Sequence, residues 1–254
     1  MLRPAICSIT FRDLKAATIL DICREAKLEG IEWGGDVHVP HGDFATAKAV
    51  GALTREAGIE ISAYGSYYRC DESKLAFADV LQTALALKAP VIRVWAGEKG
   101  SEAISPEERT SITDALRNAV DAATKAGLNV ALEYHRNTLT DTCASAHQLL
   151  TEVDRQNLKL FWQPRIGATV EANLIELRAA LPHLANVHCF HWGPGGYNDR
   201  FTLREGEATW RRYLQTLQPL EGDRYITLEF VKNNSPEQCL EDARTLRDLL
   251  STLP

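Results

Sequence analysis

The sequence predicts a single (β/α)8 barrel. Eight β-rich runs alternate with helical patterns from one end to the other. The runs begin about 31 residues apart, which is the length one strand, one helix and two loops require. The chain of 254 residues also matches the roughly 250 that such a barrel typically takes. One domain spanning 1–254 is therefore expected, with no second compositional regime.

The eight strands are read, in order, at 4–10, 30–33, 60–64, 90–95, 129–133, 158–162, 186–191 and 224–230. They are nearly continuous apolar runs, as expected where helices cover one face and a packed interior the other. Gly30 and Gly58 are read as left-handed stops of the first two helices. Ser105-Pro106-Glu107-Glu108 is an N-cap, an N1 proline and two first-turn acids. That helix runs to Ala126 and stops at Gly127. Ser235-Pro236-Glu237 opens the last helix, with Leu240, Ala243, Leu246, Leu249 and Leu250 on one face. A doubly wound open sheet is the rival, but no GxGxxG or GxxxxGK[ST] follows the first strand.

Composition narrows the function. Lys plus Arg is 28 against 34 Asp plus Glu, a net charge of -6 with no basic run. Neither a nucleic acid nor an anionic membrane surface is an expected partner, because both are gripped by cation clusters. No apolar stretch nears the roughly 18 residues of a membrane span, and the N-terminus lacks the apolar core of a secretory signal. Six scattered cysteines without a CxxC pair suggest reduced thiols in a cytoplasmic protein.

Barrel chemistry sits at the C-terminal ends of the strands. Those ends carry Glu32 and Trp33, Arg93 and Trp95, Glu133 and His135, Gln163, His188 and His191, and Glu229. Each alone has a bland explanation as a rim charge, a core histidine or a wall residue. Glu133, Gln163, His188 and Glu229, however, close four consecutive strands, so a barrel gathers them over one opening. Carboxylate and imidazole donors around a point suit Mn²⁺, Mg²⁺, Co²⁺ or Zn²⁺, and the absence of thiolates from that set argues against a structural zinc. His147 and His183 are read as structural or surface residues.

The order and spacing of Gly30-Ile31-Glu32-Trp33, Arg93-Val94-Trp95-Ala96-Gly97, Leu132-Glu133-Tyr134-His135, Val187-His188 and Leu228-Glu229-Phe230 resemble the xylose isomerase-like barrel family of sugar isomerases and epimerases. The resemblance spans essentially the whole chain. It implies one divalent metal on Glu133, Gln163, His188 and Glu229, with Gln163 standing where the family usually has Asp. It also implies that Glu133 and Glu229 move the proton in isomerising or epimerising a small ketose or keto-polyol through a cis-enediolate. His135, Arg93, His191, Trp33 and Trp95 are the expected substrate contacts. Arg93 could instead pair with a glutamate. Positions 188 and 191 face opposite sides of a strand, so only one of those histidines points inward. A sugar or inositol lyase and a metal-free sugar-binding barrel remain alternatives. The expected partner is a small sugar, and assembly into a homo-oligomer stays open.

Overall fold

The computed structural model describes residues 1–253. Its strands are β1 (Leu2–Cys7), β2 (Gly30–Gly34), β3 (Glu60–Gly65), β4 (Val91–Val94), β5 (Asn129–Glu133), β6 (Leu158–Trp162), β7 (Leu184–Cys189) and β8 (Arg224–Leu228). After them come α1 (Ala16–Glu25), α2 (Phe44–Glu56), α3 (Phe77–Leu87), α4 (Pro106–Lys125), α5 (Cys143–Val153), α6 (Val170–Ala180), α7 (Glu207–Leu217) and α8 (Pro236–Ser251). All neighbouring strands are parallel, and β1 pairs with β8 to close the sheet. No helix among the described residues is long and apolar enough to cross a membrane.

Period-two alternation sorts the strand residues into two sets. Ile6, Ile31, Ile92, Val130, Leu132, Leu160, Val187, Ile226 and Leu228 belong to the large core shared with the helices. Ala63, Val91, Ala131 and Phe161, backed by Ala185, form a small separate plug inside the barrel. Two residues further along the same inward rows stand Gly65, Arg93, Glu133 and Gln163. The alternation that buries the plug thus carries the polar residues to its upper surface.

Helix boundaries follow local chemistry. Ser105 and Glu108 form a reciprocal capping box on α4, and Ser235 caps α8 by accepting from the Gln238 N–H at 3.2 Å. Gly58 and Gly127 both take left-handed φ, +74° and +77°. Gly30 does not end α1 as expected. Lys27 takes that left-handed role, with φ 53°, and Gly30 is the first residue of β2. It is glycine because a Cβ there would lie 2.4 Å from the Tyr225 ring.

Three strands stop two or more residues sooner than their apolar runs suggest. After Cys7 the chain curls into a 3-10 turn, Ser8–Phe11, where Ser8 Oγ accepts the Gly34 N–H at 2.9 Å. β7 and β8 stop at Cys189 and Leu228. The residues beyond them leave the ladder to build the rim of the barrel.

Gly65 leaves no room for a side chain. A Cβ at this position would sit 2.5 Å from Glu32 Oε1 and 2.8 Å from Arg93 Nη2, both locked in a buried ion pair. Gly65→Ala should therefore destabilise the protein by about 2–4 kcal/mol, as overpacking against a fixed buried charge does. Gly127→Ala, which meets nothing within 4 Å, should lose only about 1–2 kcal/mol through its left-handed φ. Urea midpoints of both variants check this; equal losses would contradict it.

Candidate active site

The upper layer of the barrel holds a continuous polar network. Arg93, on β4, is 1% exposed and lies between two carboxylates. Its Nε donates to Glu32 Oε1 at 2.6 Å, and its Nη1 donates to Glu133 Oε2. The Trp95 indole N–H reaches the same Glu133 Oε2 at 2.6 Å. Gln163 donates its amide N–H to Glu133 Oε1 at 3.2 Å and to the Tyr134 carbonyl at 2.5 Å. Glu133 is thus fixed from three sides.

His188 stands at the centre. Its Nε2 lies 2.9 Å from Glu32 Oε2. Its Nδ1 faces Gln163 Oε1 at 3.4 Å, Glu133 Oε1 at 3.4 Å and Glu229 Oε2 at 3.6 Å. The structure therefore brings together Glu133, Gln163, His188 and Glu229, the four residues marked in the sequence.

Charge and hydrogen bonding test whether this set fits a metal. Glu32, Glu133 and Glu229 are buried with one guanidinium, Arg93. With His188 neutral the cluster carries about −2, which a divalent cation balances. Glu32 would accept from His188 Nε2–H and leave the Nδ1 lone pair facing the three oxygens. A carboxylate behind a ligating histidine is the usual support for a metal centre. The donors are oxygen and imidazole, which suit Mg²⁺, Mn²⁺ or Zn²⁺. The residues fit.

Cys7, His188 and Glu229 also bring donor atoms within 4.8 Å of one another. We prefer the four-strand set. Burial raises the Cys7 thiol well above its ordinary range, so it stays protonated and donates poorly to metals.

Protonation in the metal-free protein reflects the same crowding. Burial would raise Glu133, but Arg93 and His188 hold it well below the usual carboxylate range. Glu32 is likewise lowered, burial being outweighed by Arg93 and His188. For Glu229 burial, helped by Glu133 and Glu32, outweighs His188 and Arg93 and pushes it up to about 7. Burial would lower His188, but Glu229 and Glu32 raise it well above its ordinary value.

Above the network opens a cavity of about 710 Å³. Arg93, Trp95, Glu133, His135, Gln163 and Glu229 line it. The His135 ring packs against Trp95 at 4.8 Å, and its Nδ1 lies 2.7 Å from the Arg136 carbonyl. A carbonyl only accepts, so Nδ1 carries the proton and Nε2 keeps a free lone pair. Burial holds His135 below its ordinary value and therefore neutral.

Two expected substrate contacts lie elsewhere. Trp33 is fully buried against α2, its indole N–H on Thr54 Oγ1 at 3.1 Å. As a neighbour of inward Glu32 it must face the helices. His191 packs on Phe201 outside the cavity, 5.7 Å between rings, as the opposite parity to His188 requires. Arg93 reaches the cavity, but its guanidinium is committed to the two glutamates. His147 and His183 contact each other at 6.3 Å, away from the site.

Residues outside the strands complete the rim. Arg12 donates to Tyr67 Oη at 2.8 Å and pairs with Asp36. Phe190, Trp192, Tyr197 and Phe230 form an aromatic wall. Nothing in the strand pattern marks Arg12, Tyr67 or Tyr197, whereas Phe190 and Phe230 fall within the expected strand runs and Trp192 just after one. Glu32 was legible as a strand end, and its parity with Gly30 gives its inward direction.

The fold and its layer of ionisable strand ends define a TIM barrel with a metal-type site at its upper mouth. Comparison with known proteins agrees. The family model for the xylose isomerase-like TIM barrel matches residues 20–249, and the chain belongs to that family. A 3-dehydroshikimate dehydratase of Bacillus anthracis is 31% identical over 266 residues, covering 92% of each chain. The crystal structure of a probable 3-DHS dehydratase from Bacillus anthracis superposes with a TM-score of 0.82 at 21% identity, over 96% of this chain and 98% of that one. A xylose isomerase-like TIM barrel protein from Mycobacterium smegmatis, solved with magnesium, gives 0.76 at 17% identity, over 99% and 98%.

Since Glu229 must ionise to face a cation, its proton competes with the metal. With Glu229 at about 7, Mn²⁺ affinity should fall at least about tenfold from pH 8 to pH 6. His188, raised in the same direction, can only steepen the fall. Titration calorimetry with Mn²⁺ at the two pH values checks this; equal affinities would contradict it. In Glu229→Gln the metal should bind more weakly throughout.

Proposed function

We propose that the protein is a divalent-metal-dependent lyase that removes water from a small cyclic hydroxyketone, with 3-dehydroshikimate the first candidate. Identity of 31% over 92% of both chains to a dehydratase of that compound carries the choice of reaction. The site supports it by holding a neutral imidazole beside a set of donors that fits one metal ion.

3-Dehydroshikimate is a cyclohexene carboxylate with one ketone and two hydroxyls. A proton lost from the carbon beside the ketone and departure of the hydroxyl on the next ring carbon form a new double bond and leave a dienone. One further proton shift makes the ring aromatic. When bound, the metal supplies Lewis-acid stabilisation of the charge that builds on the ketone oxygen. Glu133, Gln163, His188 and Glu229 hold it.

His135 lines the cavity with Nδ1 occupied by the Arg136 carbonyl, and its Nε2 takes the carbon-bound proton. The resulting imidazolium returns that proton to the departing hydroxyl, so the net loss is one water. Glu133 is a weak base here, because Arg93, Trp95 and Gln163 occupy both its oxygens. It serves as a fixed ligand. Arg136, on the cavity wall, supplies positive charge for a substrate carboxylate. Isomerisation or epimerisation of a ketose, the reaction read from the sequence, would share the proton removal but not the loss of hydroxyl.

Mn²⁺-loaded protein should convert 3-dehydroshikimate to an aromatic product, followed by ultraviolet absorbance. His135→Gln should lower kcat by about 10²–10⁴-fold while bound metal, by elemental analysis, stays the same. No aromatic product, together with deuterium wash-in from D₂O for a free ketose, would overturn the lyase in favour of an isomerase or epimerase.

A further inference from the structure

Phe230 breaks the alternation that orders its strand. Ile226 and Leu228 face the helices, so residue 230 should do the same in a continued strand. It turns instead into the left-handed region, with φ 50°. That is uncommon for any residue other than glycine and an outlier for a bulky one. Its N–H is held by Thr10 Oγ1 at 3.0 Å. The turn swings the ring from the helix side into the cavity wall beside Glu229.

The ring is then clamped. Tyr197 meets it edge-on at 4.8 Å, and Trp192 lies 6.2 Å away, itself stacked on Phe190 at 3.8 Å. The Arg200 guanidinium sits 3.9 Å over Tyr197 and 5.2 Å from Phe230. Backbone carbonyls of Tyr197 at 2.6 Å and Val231 at 3.3 Å fix that arginine. In a closed eight-stranded barrel β8 lies across from β4. The facing wall is therefore the Trp95 cluster: Arg69 lies over one side of that ring at 4.2 Å, and His135 and Tyr67, which also line the cavity, pack against it at 4.8 Å and 5.1 Å.

We infer that Phe230 is a specificity-determining residue, held in its left-handed turn so that two aromatic walls form a slot for a flat, unsaturated six-membered ring. A planar ring presents its π-face to both walls and its polar edge to the donors at the base. An open-chain polyol has hydroxyls on every side, and aromatic walls leave some of them unpaired. The choice of ring rests on the dehydratase reading, whereas the slot rests on the geometry of Phe230 and Trp95.

The test is binding, which does not require turnover. Calorimetric titration of 3,4-dihydroxybenzoate and of D-fructose into Mn²⁺-loaded protein compares wild type, Phe230→Gly and Phe230→Tyr. Glycine tolerates the left-handed turn, which offsets part of the packing lost with the ring, so the Phe230→Gly variant should still fold with a single cooperative thermal transition. It should bind dihydroxybenzoate at least tenfold more weakly, with Phe230→Tyr within threefold of wild type and fructose affinity changed less than twofold. Unchanged dihydroxybenzoate affinity in Phe230→Gly, or equal losses for both ligands, would overturn the assignment. Conversion of 3-dehydroshikimate by the wild type separates the two ideas. A wild type that dehydrates it while Phe230→Gly binds the ring undiminished refutes the role of Phe230 alone. A wild type that prefers fructose over dihydroxybenzoate refutes the slot, and lack of conversion refutes the lyase.

Discussion

The active end of the barrel depends on one buried arginine. Arg93 is almost wholly inaccessible, and two buried carboxylates take up its guanidinium. Removing one member of such a group leaves an uncompensated buried charge, typically about 3–5 kcal/mol. The arrangement persists because every charge in it is hydrogen-bonded as well as paired. Gly65 has no side chain where one would collide with the pair, and Trp95 and Gln163 supply the other donors to Glu133. Arg93 therefore acts on chemistry indirectly. It keeps Glu133 ionised and stationary, and it holds Glu32 where that carboxylate can orient His188.

Seen from that arginine, the division of labour among the carboxylates follows. Three buried acids share one permanent cation, so the cluster is short of positive charge. Glu32 and Glu133 touch Arg93 and stay ionised. Glu229 does not touch it, and it retains a proton near neutrality. The deficit is concentrated where Glu133, Gln163 and Glu229 surround His188 Nδ1, the position at which a divalent cation closes the balance. Gln163 suits this geometry better than an acid would. Its amide nitrogen donates to Glu133 and to the Tyr134 carbonyl, which a carboxylate could only repel. The neutral His135 packs on Trp95 beside these groups, so the proposed reaction divides charge stabilisation and proton transfer between different residues.

Much of this could be read from the sequence because a β-strand alternates strictly. Eight apolar runs at even spacing gave the barrel, and parity brought Glu133, Gln163 and Glu229 to one surface with only one of His188 and His191; the structure turns His191, an expected substrate contact, away onto Phe201. Trp33 was misplaced for want of the same test, since its neighbour Glu32 is the inward residue. Other features depend on contacts between distant segments. Gly30 read as a helix stop because a glycine's lack of a side chain serves turns and close approaches alike; only Tyr225, 195 positions further along, reveals which. Phe230 read as strand because its side chain favours one, while Thr10 and Arg200 hold it in a turn. The tautomer of His135 is set by a carbonyl one residue away, whose direction no periodicity reports.

The central claim is that four consecutive strand ends hold one cation beside a neutral histidine base. Anomalous diffraction from crystals of the Mn²⁺-loaded protein with 3,4-dihydroxybenzoate tests it most directly. The account predicts a single manganese peak bounded by Glu133 Oε1, Gln163 Oε1, His188 Nδ1 and Glu229 Oε2, with the ligand's ring between Trp95 and Phe230 and His135 Nε2 facing its edge. A peak on the Cys7 side of His188, or none within the barrel mouth, would contradict it.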